Sequence, residues 1–280
     1  MQKNKVVVGI LISFCVIFAV LITSVEAVCY WTPGYFEAEY EKHDVLSRLP
    51  EMSMSSEDGL MAVTHHMMKY LRGDADAPEL QIEVTMGGER RGFFTEREIL
   101  HMEDVRNLFV GAQKLRIYAI VLAVFLTALL WGLCRREEHR RKGRMEPAVS
   151  AGGSSADGVQ GGTAAGQDSG KRRKGLREFW KALALGFLLG TGLILLTSAL
   201  FGAYIGTHFS TAFVTFHHIF FDNDLWILDP SVDMLVNIVP EGFFFDTAFR
   251  ILGLFLGSIA LLCVASGAYL FRARKKIFIK

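Results

Sequence analysis

Four apolar runs decide what this chain can become. Residues 6–25, 117–134, 183–205 and 251–271 are each close to the roughly 20 residues that cross the hydrocarbon core of a bilayer, and none carries a charge in its middle. Inside hydrocarbon a backbone has to satisfy its own hydrogen bonds, so these runs are expected to be helices. A mean hydropathy of +0.30 agrees with a chain that lives largely in lipid. The expected fold class is an all-α membrane protein with four transmembrane helices and an extracellular α(+β) cap.

Lys and Arg orient the spans, because basic residues collect on the cytoplasmic side. Lys3 and Lys5 precede the first run, and Arg135, Arg136, Arg140, Arg141, Lys142 and Arg144 follow the second. Lys171, Arg172, Arg173, Lys174 and Arg177 precede the third, and Arg272, Arg274, Lys275 and Lys276 follow the fourth. With four helices every cluster falls on one side, so both termini are expected in the cytoplasm of a bacterial cell. The layout follows: 1–28 first span, 29–115 extracellular cap, 116–134 second span, 135–181 cytoplasmic linker, 182–205 third span, 206–248 second outer segment, 249–271 fourth span, 272–280 tail. A cleaved signal peptide is the alternative for the first span, with Val25-Glu26-Ala27 as the cleavage site. The run is long for that role, and Glu26 is unusual there.

Net charge is +1, which gives no general pull toward nucleic acid; the KRRK block at 171–174 reads as a contact with anionic headgroups. Of the four cysteines, Cys15, Cys134 and Cys263 belong to the apolar runs or their cytoplasmic ends, and Cys29 has no evident outer partner. A disulfide framework is therefore not expected. Residues 146–170 are mostly Gly, Ser and Ala, a composition that cannot bury a core and reads as a disordered linker.

The outer loop 29–115 is long enough to fold. It opens with Tyr30, Trp31, Tyr35, Phe36 and Tyr40, residue types suited to headgroup depth. Residues 56–71 read as a helix with Leu60, Val63, Met67, Met68 and Leu71 on one face, and 84–94 as a hairpin turning at Gly87-Gly88. Thr95 and Glu98 make a capping box at the start of a helix whose apolar stripe is Met102, Val105, Leu108, Phe109 and Ala112. His101 falls within that stripe, with Asp104 one turn on at its edge. A histidine there is ordinarily a packed core residue. What favours function is that the helix leads into a span, while a second histidine group lies at the same membrane surface.

That second group belongs to residues 206–248, where His208, His217 and His218 are interleaved with acidic and aromatic side chains. Asp229-Pro230 looks like the N-cap and first residue of a short helix. Phe243 to Phe245 fit an interfacial anchor. Ionisable groups among apolar side chains at a bilayer surface are costly and point to function. An imidazole in a water-poor setting is suited to passing protons near neutral pH. No HExxH, C-x-x-C, GxSxG, Walker or Rossmann pattern is present, so zinc protease, standard serine hydrolase and nucleotide chemistry rank low. His65-His66 is read as exposed rather than metal-binding, and no metal or cofactor is expected.

Two patterns carry a resemblance. E-x-x-HM-x-DV-x-x-LF runs from Glu98 to Phe109, and FHxIFF…W-x-x-DP-x-x-D…PE-x-FF runs from Phe216 to Phe244. With four spans and an outer cap, the chain resembles the lipoprotein intramolecular transacylase family over most of its length, the linker excepted. The resemblance implies an enzyme that moves the sn-2 acyl chain of a diacylglyceryl-modified lipoprotein to the α-amino group of its N-terminal cysteine, leaving a lyso-form lipoprotein. It also implies a catalytic histidine pair, which by motif position is His101 and His217. His218 follows directly and stands as an alternative. Glu98, Asp104, Asp222 and Trp226 are supporting candidates, Trp226 or a nearby backbone N–H for the oxyanion. Phe216, Phe220, Phe221, Trp31 and Phe244 are the expected substrate lining. The expected partners are the lipoprotein substrate and membrane lipids. A lipid-ester hydrolase using the same histidines differs by admitting water and releasing fatty acid. A non-enzymatic scaffold would tolerate loss of the histidines.

Overall fold

In the computed structural model, residues 3–49, 57–74, 77–86, 88–145, 164–206 and 209–278 are described. Helices α1 (Lys3–Trp31), α2 (Tyr35–Lys42), α3 (Glu57–Arg72) and α4 (Glu96–Met145) are followed by α5 (Ala164–Gly206), α6 (Phe209–Phe220), α7 (Leu235–Ile238) and α8 (Glu241–Phe278). Between α3 and α4 lies a hairpin of β1 (Glu83–Met86) and β2 (Glu89–Gly92). Among the described residues, four helical stretches are long and apolar enough to cross a membrane: Lys3–Trp31, Glu96–Glu137, Gly175–Leu196 and Glu241–Arg274. The first, second and fourth contain the runs read from the sequence at 6–25, 117–134 and 251–271, and the third covers 183–196 of the run read as 183–205. The protein is a four-span helical membrane protein.

The chain divides into two compact units, one of residues 1–19, 118–198 and 258–280, the other of 20–117 and 199–257. The first unit is helical. Its small core holds Ile12, Leu130, Cys134, Phe179 and Ala182. Here α1 and α5 meet backbone to backbone: a Cβ on Gly186 would lie 2.5 Å from Gly9, and one on Gly9 would lie 2.7 Å from the Ala182 carbonyl oxygen. Small residues at such a crossing let two helices approach far enough for close packing, the main source of association in lipid. Lys5, one of the residues that orients the first span, is only 4% exposed and its ammonium lies 2.5 Å from the Glu137 carboxylate of α4.

The second unit has a larger core. The face read for residues 56–71 is buried in α3: Leu60, Val63, Met67, Met68 and Leu71 all pack into it. An aromatic cluster of Tyr35, Phe36, Tyr40 and Phe243 joins α2 to the first turn of α8. The Tyr35 hydroxyl meets Thr247 at 2.5 Å, and the Tyr40 hydroxyl meets Thr64 at 2.8 Å, so the polar ends of both rings are satisfied inside the core. The hairpin pairs Val84 with Arg91 and turns at Gly88, whose φ of 85° suits glycine. Glu26, the residue out of place for a signal peptide, is 9% exposed and ion-paired with Arg116 of α4.

Several expectations are corrected. Residues 146–163 of the linker lie outside the described residues, as does His208. Helix α5 begins at Ala164, so the linker ends earlier than its composition suggests. Asp229 does not cap a helix at Pro230. Its carboxylate accepts Ser231 N–H (2.9 Å) and Oγ (2.7 Å), and its carbonyl accepts Val232 and Asp233 N–H, which closes a turn; α7 starts only at Leu235. Of the Phe243–Phe245 anchor, Phe243 is core while Phe244 and Phe245 are exposed.

Candidate active site

The site is assembled on the first turns of α4 and the last turn of α6. The capping box predicted at Thr95 and Glu98 forms: Thr95 N–H donates to Glu98 Oε2 at 2.6 Å, and Glu98 N–H to Thr95 Oγ1 at 3.3 Å. Glu98 does more than cap. It is fully buried, and its Oε1 accepts the backbone N–H of Leu235 at the start of α7. The Thr95 hydroxyl also donates to Asp233 at 2.9 Å, while the other Asp233 oxygen accepts Asp229 N–H at 2.8 Å. Burial pushes the Glu98 carboxyl up, against the pull of the Leu235 and Thr95 donors. This network fixes the start of α4 on the 229–238 segment one turn before His101.

His101 and His217 come together. Their ring centroids are 6.0 Å apart, and they are 6% and 7% exposed. Phe221 lies against both, at 5.4 Å from His101 and 5.6 Å from His217. Phe213 (4.2 Å), Phe216 (5.6 Å) and the stacked indole of Trp226 (4.6 Å) complete the surroundings of His217.

Hydrogen bonding distinguishes the two rings. His217 Nδ1 lies 2.8 Å from the Phe213 carbonyl oxygen one turn back on α6. A carbonyl can only accept, so Nδ1 carries the proton and, in the neutral ring, Nε2 holds the lone pair. His101 Nδ1 is buried and has no hydrogen-bond partner. Among the described residues no carboxylate bonds to either ring. Burial lowers the His101 pKa to about 4; the neighbouring His217 adds to the effect and Asp104 opposes it slightly. His217 is lowered too, by burial first, with the Phe213 bond opposing and His218 assisting. Both shifts favour the neutral imidazole in this aromatic setting.

The loop after α6 is pinned on both sides of His101. Arg97 donates to the carbonyls of Asp224 and Leu225, and Asp104 accepts Asn223 Nδ2 at 2.8 Å. Trp226 Nε1 donates to the Asn223 carbonyl at 3.0 Å. The indole is thereby held flat on His217, and its N–H is taken, which withdraws it as the oxyanion donor expected from the sequence. Asn223 and Arg97, which join this site across more than 100 residues of chain, carry no local signal that would have singled them out.

The other candidates separate. His218 is exposed and meets Trp226 edge-on at 5.3 Å. Asp222 is exposed. Phe220 is exposed and packs on Phe216 at 4.7 Å, and Phe244 touches Phe213 rather than a histidine. Trp31 is 59% exposed and lines another cleft with Tyr30, Phe36 and His65, so it is not lining of the histidine site. His65 is exposed, while His66 donates to the Glu79 carbonyl at 2.8 Å. Among the described residues one group has metal-ligand proximity, Glu39, His43 and Asp246. Lys42 Nζ and His43 Nε2 each sit 2.7 Å from Asp246, so that carboxylate is paired with side chains.

The burial of His101 has a sign that can be checked. The folded ring binds its proton more weakly than the unfolded chain, so the unfolded state takes up more protons between about pH 6.5 and 4. Its contribution to stability is complete above about 6.5 and is lost as the pH falls through that window. Ring NMR shifts should show His101 neutral at about pH 6, with a midpoint near 4. A midpoint at the ordinary value of about 6.5 would mean the site is wet.

Spanning helices and a buried histidine pair walled by aromatic rings make a membrane protein with a candidate proton-transfer site shielded from water. The sequence profile described as lipoprotein intramolecular transacylase Lit matches residues 10–146 and 170–244. The chain belongs to the lipoprotein intramolecular transacylase family and is a membrane acyltransferase. A solved structure of the membrane integral lipoprotein intramolecular transacylase Lit from Bacillus cereus is 18% identical, with 98% of this chain and 100% of that one covered and a TM-score of 0.60. A histidine-to-arginine variant of the same protein is 17% identical, with 98% and 95% covered and a TM-score of 0.59. At these identities the likeness speaks for the fold; the family rests on the profile. Among curated proteins no sequence matches at a significant level.

Proposed function

We propose that His101 and His217 carry the family's reaction in this chain, with divided roles. The substrate is a diacylglyceryl-modified lipoprotein whose N-terminal α-amine and sn-2 ester belong to one molecule. The neutral amine attacks the ester carbonyl. His217 Nε2 takes the proton that the attacking nitrogen releases and returns it to the departing glyceryl oxygen as the tetrahedral intermediate collapses. An amide and a free hydroxyl result. His101, neutral throughout, donates an N–H to the oxygen that gains charge. No acyl-enzyme forms. Holding both reactants in one molecule against the aromatic wall supplies a large part of the rate, because intramolecular geometry replaces a bimolecular encounter.

The observation that supports this division is the His217 Nδ1 bond to Phe213, 2.8 Å, which leaves Nε2 as the accepting nitrogen of a buried pair. The test is a substrate whose α-amine is already acylated. It should not turn over, although its sn-2 ester is intact. Release of fatty acid from that blocked substrate, or an acyl chain trapped on the protein, would replace the direct transfer with hydrolysis.

We place the protein in the bacterial cytoplasmic membrane with residues 29–115 and 206–248 outside and both ends inside, from the basic flanks of all four spans. Single cysteines introduced in 29–115 should react with an impermeant reagent on intact cells, and those in 146–163 only after permeabilisation. The reverse pattern would invert the orientation.

A further inference from the structure

In about the three turns before its apolar run begins at Ile117, α4 carries a polar stripe distinct from the histidine site. The end of α3 crosses it. Gly73 has a φ of 81°, and a Cβ there would lie 3.0 Å from Val110 Cγ2, so the backbone is pressed onto α4 at a place where only glycine is unstrained. The crossing leaves a cleft of about 450 Å³ whose polar lining is Arg72, Arg106, Asn107, Gln113 and Lys114, with Ile117 at its lower end.

The cleft is charged and unsatisfied in one sense only. Arg106 lies over the Tyr70 ring at 4.8 Å, while its Nε–H is buried without an acceptor. Gln113 Nε2 is likewise buried and unpartnered. Among the described residues no carboxylate pairs with Arg106 or Lys114, whereas Arg72 is held by Asp74 at 2.8 and 3.0 Å. Buried donors without acceptors are costly, so a ligand rich in acceptors is what this lining lacks. Arg106, whose charge meets only the Tyr70 side chain, and Lys114, which no carboxylate pairs among the described residues, point to an anionic ligand. Depth narrows its source. At about 1.5 Å per residue, Gln113 and Lys114 stand about 5–6 Å above Ile117, where the apolar run starts. The headgroup zone on each face of a bilayer is about 5–8 Å thick.

We propose that this cleft binds a phosphate-bearing anion, supplied by the phosphodiester headgroup of an acidic membrane phospholipid. Lys114 and Gln113 meet the phosphate at headgroup depth, and Arg106 meets the polar group beyond it. The diacylglyceryl thioether of the lipoprotein has no phosphate, so this lipid is a second one and not the substrate. The inference stands apart from the histidine chemistry.

Native mass spectrometry of the full chain in detergent tests it, with dioleoylphosphatidylglycerol, dioleoylglycerol and inorganic phosphate as probes. Wild type should retain one phosphatidylglycerol saturably, should not hold dioleoylglycerol equally, and should not lose the lipid to millimolar phosphate. Lys114→Glu reverses the charge of an exposed side chain, so folding is unaffected, and it should weaken that retention about thirtyfold, the weight of two basic charges beside an anionic lipid. Gln113→Leu should weaken it in the same direction. Equal retention in wild type and Lys114→Glu would overturn the site. Equal binding of dioleoylglycerol would overturn the phosphate. Inorganic phosphate binding with the same affinity would overturn the membrane lipid as its source.

Discussion

Replacing His217 by glutamine is expected to lower turnover about a thousandfold, within the roughly 10²–10⁴ that general acid–base catalysis contributes, in a protein that still folds. Glutamine keeps the polarity and approximate reach of the ring. It cannot accept a proton and give it back near neutral pH. His101→Gln should cost less, about tenfold to a hundredfold, because an amide N–H can still meet the charged oxygen. His101→Ala, with no donor, should lose about 10²–10³, the usual cost of an oxyanion donor. His218→Ala should stay within about threefold of wild type, its ring being exposed. The order among these variants is the informative readout. Near wild-type turnover in His217→Gln ends the proton-transfer role, and an equal loss in His218→Ala moves that role to its neighbour.

The largest effect on stability is expected at Glu98. Alanine there leaves the backbone N–H groups of Thr95 and Leu235 buried without acceptors. Each orphan costs about 1–3 kcal/mol, so the total is about 2–6 kcal/mol and the apparent melting temperature drops by about 10 °C. Glutamine retains one acceptor and should recover about half. The pH dependence separates a buried carboxyl from simple packing. Because burial raises the folded pKa of Glu98, its contribution to stability is full below the unfolded value of about 4.3 and declines as the pH rises through the folded value. That limb runs opposite to the His101 one and should vanish in Glu98→Gln. A melting temperature for Glu98→Ala within about 2 °C of wild type would mean the network does not hold the two segments together.

What was legible in the sequence was what repeats or is local. The spans follow from length and apolarity, α3 from its heptad-like face, the hairpin from paired glycines, and the start of α4 from the two residues of a capping box. His101 stood out because a titratable group interrupts an apolar stripe. Its pairing with His217 came from motif resemblance, since nothing in spacing joins positions more than 100 residues apart. The same distance hid Glu98's bond to Leu235, Asn223's bond to Asp104 and the His43–Asp246 contact at 2.7 Å, which ties α2 to the first turns of α8. Aromatic density misled in one respect: Trp31 and Phe243 look alike in sequence, yet one is exposed and the other is core. A count of rings says how much apolar surface there is, not which side of a helix carries it.

The bond from His217 to a carbonyl of its own helix has a consequence for which product the enzyme can form. A histidine oriented by a carboxylate has a fixed counter-charge that stabilises the protonated ring. Here the orienting group is uncharged, and among the described residues no acid bonds to either imidazole, so in the proposed mechanism protonated His217 is a short-lived species that must hand its proton on. Acyl transfer to the amine starts from neutral groups and ends with a neutral amide and a neutral alcohol. Hydrolysis would end with a fatty acid that ionises, placing an anion and a cation in a site that solvates neither. With the roles proposed for His101 and His217, charge as well as exclusion of water favours transfer over hydrolysis. A carboxylate introduced beside the rings would be expected to erode it.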